Sequence, residues 1–133
     1  MEGRAGSTTI GYNYNFMATV YIAVFGVCGV LLRYGIQTLA ARAFSTPWPL
    51  GTFAINLLGS FLIGVVGGLS FSEDLRTAIL VGFLGGFTTF SAFSFETVLL
   101  WQKGEALLAV AYLTLSPLLG VACAWAGKTL VAR

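Results

Sequence analysis

The chain has 133 residues, 57% of them hydrophobic and only 9% charged, with a formal net charge of +2. A soluble domain carries about 25% charged residues, so this chain cannot clothe a water-facing surface. Its small, scattered positive charge does not suit nucleic-acid binding.

Residues 1–16 are polar and glycine-rich and read as a flexible tail. Residues 17–133 form the membrane unit. Its first apolar stretch runs from about Met17 to Ala41 and holds one charge, Arg33. That is too long for the core of a signal peptide, so it is expected to be retained. Arg42 and the segment Ser45-Thr46-Pro47-Trp48-Pro49 separate it from a second stretch, about Leu50 to Ser70. Ser72-Glu73-Asp74 then reads as a helix start with acids in its first turn. A third stretch, about Thr77 to Leu100, contains Glu96; Gln102-Lys103-Gly104-Glu105 makes a tight loop before the fourth, about Ala106 to Gly127. Each stretch is long enough to cross a bilayer. The expected fold is all-α: four transmembrane helices with short loops and antiparallel neighbours.

Charge selects an orientation weakly. The tail, the second loop and the C-terminus share one side and carry Arg4, Arg76, Lys128 and Arg133. The other side carries Arg42 and Lys103, with Arg33 if it snorkels. So slight a bias permits insertion both ways, and with it an antiparallel dimer. It equally permits one orientation fixed by other factors.

The chemistry available is narrow. The chain has no histidine, which excludes imidazole catalysis and His-ligated metals. Cys28 and Cys123 lie in separate apolar runs, as small packed residues rather than a zinc or redox pair. No nucleophile–base pair is visible, so the chain is not expected to be an enzyme.

Polar groups at membrane depth are costly and often functional. Asn56 sits inside the second stretch, as interhelical glue or as a donor in a site. The third stretch reads Gly82-Phe83-Leu84-Gly85-Gly86-Phe87-Thr88-Thr89-Phe90-Ser91-Ala92-Phe93-Ser94-Phe95-Glu96. Paired glycines followed by paired threonines make a poor helix centre, which points to a break near Gly85–Thr89. A break releases carbonyls able to hold a small cation. The alternative is a continuous helix with Gly82-x-x-x-Gly86 as a packing seam. Phe90 and Phe93 share a face, either as core or with their positive ring edges toward an anion. Ser91 and Ser94 lie beside them as hydroxyl donors, and Glu96 is expected to pair with a polar partner. Tyr112 and Ser116 share a face of the fourth helix and, with Asn56, offer a sparse line of neutral donors suited to anion conduction. Arg33 can snorkel or draw anions into a vestibule. Gly26 and Gly29, and the ladder Ser60, Gly64, Gly68, read as packing seams.

The segments Gly51-Thr-Phe-Ala-Ile-Asn56-Leu-Leu-Gly59-Ser60 and Gly82 through Glu96, with Gly29-Val-Leu-Leu-Arg33-Tyr34, resemble the Fluc/CrcB family of fluoride-specific ion channels. The resemblance covers roughly residues 17–130. It implies passive export of toxic cytoplasmic fluoride by an antiparallel, dual-topology homodimer, multi-pass in the inner or plasma membrane among lipid. It also implies two pores and a structural sodium ion between the subunits, held by the main-chain carbonyls of Gly85 and Thr88. The pore phenylalanines would be Phe90 and Phe93, the second-helix asparagine Asn56, and the fourth-helix tyrosine and serine Tyr112 and Ser116. Ala92 stands where the family often has threonine and Gly120 where it sometimes has serine, so the polar track here carries fewer hydroxyls.

Two other functions compete. A small proton-coupled exporter would need a membrane-embedded carboxylate, for which Glu96 is the candidate. A structural subunit would not need the Thr-Thr-Phe-Ser cluster at membrane depth.

Overall fold

A computed structural model describes residues 16–132. The expected tail therefore lies, up to residue 15, outside the described residues. Four helical spans emerge, each long and apolar enough to cross a membrane.

α1 spans Phe16–Ala43 and α2 spans Leu50–Gly68. The third span is built from pieces: α3 Glu73–Thr77, a π-helical segment Ala78–Leu84, α4 Gly85–Phe87 and α5 Phe90–Gln102. α6 spans Ala106–Val131 and runs through Pro117. Proline there removes one backbone donor, a loss membrane helices tolerate where neighbours resupply the freed groups.

The boundaries follow local chemistry. Glu73 and Asp74 sit in the first turn of α3, where acids favour the positive end of the helix dipole. α5 ends in a turn whose Gly104 has φ +81°, a conformation glycine adopts without a Cβ clash. The Glu105 amide closes that turn by donating to the Leu100 carbonyl at 3.0 Å. Between α1 and α2, the Trp48 amide donates to Thr46 Oγ1 at 3.2 Å. The Trp48 ring then packs edge-on against Phe53 and Tyr112, with centroids 5.5 and 5.4 Å away.

The break divides the third span between two partners. Its first half, the π segment and α4, packs on α1; its second half, α5, packs on α6. α2 and α6 form the other main contact. Both helix pairs meet through missing side chains. A Cβ on Gly82 or Gly86 would run into the backbone of α1 at Ile22 or Gly26, and one on Gly29 into Phe83. On the other pair, Gly64 faces the Ala124 carbonyl and Gly127 faces the Phe61 carbonyl. Such close backbone approach is how membrane helices gain dispersion contact when lipid removes the hydrophobic drive. The third span thus carries the expected break, which overturns the alternative of a continuous helix, while Gly82 and Gly86 still form the packing seam on the half before it. Phe93, Leu100, Ala109 and Tyr112 form a small buried core between α5 and α6. Large apolar side chains along α1 and α6, among them Val24, Leu31, Leu118 and Val121, are exposed.

Candidate functional site

The break falls at Thr88 and Thr89, at the far end of the interval that the Gly-Gly-x-Thr-Thr pattern indicates. Thr88 has φ −84° and ψ 157° and Thr89 has φ −150° and ψ 118°, both extended. Asn56 holds the opened backbone from α2. Its Nδ2 donates to the Thr89 carbonyl at 3.1 Å, and the Thr89 amide donates to its Oδ1 at 2.9 Å. One carboxamide thus satisfies a donor and an acceptor that the bilayer could not hydrate.

This clamp has a consequence for two carbonyls. In a continuous helix the Thr89 amide would donate to the Gly85 carbonyl, four residues back. Here it donates to Asn56 instead. The Ala92 amide would likewise serve the Thr88 carbonyl, but it donates to Thr89 Oγ1, the N-cap of α5, at 3.2 Å. The amides that would close helical turns onto Gly85 and Thr88 are therefore both diverted. Thr88 completes the end of α4 by donating through its amide and its hydroxyl to the Leu84 carbonyl, at 3.0 and 2.8 Å. Released carbonyls are hard oxygen ligands, the donor type that suits an alkali or alkaline-earth cation.

Beside the break lies an open groove of about 420 Å³, mostly apolar, between α2, the third span and α6. Asn56, Gly85, Thr88, Phe90, Phe93 and Ser116 all line it. Phe90 is 79% exposed and Phe93 only 6%, although their rings lie 5.5 Å apart. Phe93 packs against Tyr112, centroid to centroid 5.0 Å. Ser116 is 6% exposed.

Four other residues singled out from the sequence do not line this groove. Ser91 Oγ lies 3.3 Å from Thr89 Oγ1, and Ser94 Oγ donates to the Phe90 carbonyl at 3.0 Å. Arg33 is half-buried on α1 and is not part of the groove's lining. Tyr112 is fully buried, and its hydroxyl donates to Glu96 Oε2 at 2.9 Å.

That last contact belongs to a second polar cluster. Glu96 Oε1 accepts from Thr52 Oγ1 at 2.6 Å, and Thr52 Oγ1 accepts from Gln37 Nε2 at 3.0 Å. Glu96 therefore has polar partners on two helices, as expected of it. Gln37, Thr52 and Glu96 border a second cavity of about 350 Å³ under the 44–49 loop. Thr52 and Gln37 were not among the sequence candidates. Gln37 carried a readable signal: it lies four residues after Arg33, on the same helical face at membrane depth. Thr52 carried none, because a lone threonine near a helix start is ordinary.

Residues 20–128 match the family described as CrcB-like protein, Camphor Resistance (CrcB). The chain is 46% identical over 121 residues to a protein of Geobacter sp. (strain M21) named fluoride-specific ion channel FluC, covering 86% of this chain and 95% of that one. A protein of the same name from Citrifermentans bemidjiense is 44% identical over 121 residues, with the same coverage of each chain. Another, from Renibacterium salmoninarum, is 37% identical over 126 residues, 87% of this chain and all of its own. Four apolar spans, a third helix opened at Gly-Gly-Phe-Thr-Thr and a sequence match over most of its length lead to one conclusion: the chain belongs to the CrcB family.

Proposed function

We propose that this protein is a fluoride-selective channel, letting cytoplasmic fluoride leak out passively down its electrochemical gradient. It is a multi-pass membrane protein and not an enzyme, and its relatives are named fluoride-specific ion channels. The observation that carries the reading is the groove at the break, where Phe90, Phe93 and Ser116 meet beside Asn56. Fluoride sheds water reluctantly. A narrow path must replace that shell with weak, multiple contacts, since one strong cationic partner would hold the ion. Phenyl edges and neutral hydroxyls are such contacts.

In this reading two copies assemble antiparallel, giving two pores, in the inner or plasma membrane. The exposure of Phe90 supports a partner at this face. So does Gly85, which is exposed and whose added Cβ would meet only Leu80 O, at an ordinary 3.8 Å. Nothing among the described residues of one protomer requires glycine there. The Gly85 and Thr88 carbonyls, with their helical amides diverted, fit a sodium ion, which would supply positive charge at the interface and tie the protomers together.

Liposomes holding the purified protein, loaded with fluoride or chloride, test the function. Fast fluoride release with negligible chloride release is the expected result. Release of both at one rate would remove the selectivity. No release from folded protein would favour a structural subunit, and fluoride release that requires a pH gradient would favour an exporter.

A further inference from the structure

The hydroxyls of the spans are engaged in different ways: Thr52 donates to Glu96 Oε1, and Thr89 Oγ1 accepts from the Ala92 amide and lies beside Ser91 Oγ. Those of Thr88, Ser94, Thr97, Thr114 and Thr129 are committed to carbonyls of their own helices. Ser60 and Ser116 combine two features: neither makes a hydrogen bond to the described residues, and both line the groove beside the break, which the equally unbonded Thr38 and Thr77 do not. Ser116 is more than nine-tenths buried, and among the described residues no buried side-chain oxygen is sealed off without a partner, so its hydroxyl opens on the groove it lines. One turn along α6 from Ser116 stands Gly120, also in the lining. A Cβ at Gly120 would lie 3.3 Å from Ser60 Oγ and touch nothing else within 4 Å. The hydroxyl of Ser60 therefore faces the space that α6 leaves vacant at Gly120.

We infer that Ser60, on α2, is a further anion-contacting residue of the conduction path, its hydroxyl continuing from across the groove the line of donors that α6 begins at Ser116 and interrupts at Gly120. This rests on the channel reading above. Helical serines ordinarily return their proton to the carbonyl a turn back. A serine that does not, in an apolar groove, has a donor free for a passing anion. Elsewhere the same α2–α6 seam is closed by bare backbone contact at Gly64 and Gly127, and packing alone would be served as well by alanine at 60.

The test moves the hydroxyl across the groove. Ser60→Ala removes only Oγ; Ser60→Ala with Gly120→Ser returns a hydroxyl from the α6 side into the space vacated. Each variant is purified, checked for monodisperse elution and reconstituted, and fluoride efflux is measured beside the wild type. Ser60→Ala should slow efflux about tenfold, the scale of one lost hydrogen bond to a charged group. The double variant should recover to within about threefold of wild type, because a hydroxyl's worth depends on position rather than on the helix that carries it. Wild-type efflux from Ser60→Ala would overturn the inference. So would a double variant as slow as the single one, since Ser60 would then matter through packing. Wild-type vesicles that release no fluoride would remove the channel reading itself, a failure distinct from both.

Discussion

Asn56 spends both ends of its carboxamide on the backbone of Thr89. Its first role in the protomer is to hold the break open. Asn56→Ala would orphan an amide and a carbonyl in a site water reaches poorly, at a cost of about 2–3 kcal/mol. Detergent-solubilised Asn56→Ala should therefore unfold at lower temperature as well as conduct poorly; unchanged thermal stability would contradict the clamp. The two phenylalanines differ in the same way. Phe93 packs in the core against Tyr112, whereas Phe90 is exposed on one protomer. Phe93→Ile should lower both stability and flux, by about 1–2 kcal/mol in stability. Phe90→Ile should lower flux and leave the protomer's stability unchanged. Both effects are read by thermal unfolding and liposome efflux on the same preparations. The sequence marked Asn56 and the phenylalanines by their type and depth. It could not mark Asn56's partner, because Thr89 lies 33 residues away. Tyr112 and Ser116 share a face on paper, yet one is tied to Glu96 and the other opens on the groove. The difference is set by α5 and the Trp48 loop, which spacing along α6 does not describe.

At the level of elements, the four spans were legible because about 20 apolar residues between turn signals have few other solutions. The break was legible because Gly-Gly and Thr-Thr weaken a helix at one place. The π segment at Ala78–Leu84 was not. Nothing local demands it, and it arises where the third span seats its glycines against α1. The seams give a sharp contrast between glycines. Gly64→Ala would press a methyl into the backbone of α6 at Ala124 and should cost about 1–3 kcal/mol. Gly85→Ala meets ordinary contact within the protomer and should leave its fold intact. If the break lies at a subunit interface, Gly85→Ala should instead weaken the dimer, seen as a shift in elution at low protein concentration. Equal loss of protomer stability from both substitutions would contradict this division.

For the whole molecule, the nearly balanced basic residues and the exposed apolar sides of α1 and α6 describe a body that lies in lipid and permits either orientation. Its two third-span halves belong to different helix pairs, so the break is also the joint of the fold. A cation at the released Gly85 and Thr88 carbonyls would brace that joint. Exhaustive replacement of sodium by a large organic cation should therefore lower thermal stability and flux together, and readdition should restore both; indifference of both would remove the cation site. As a fluoride-selective path, the groove beside the break should pass fluoride and little else. Current through planar bilayers under opposed fluoride and chloride gradients tests it most directly. The reversal potential should follow the fluoride gradient and ignore chloride. A reversal potential that moves with chloride, or with pH at constant fluoride, would contradict it.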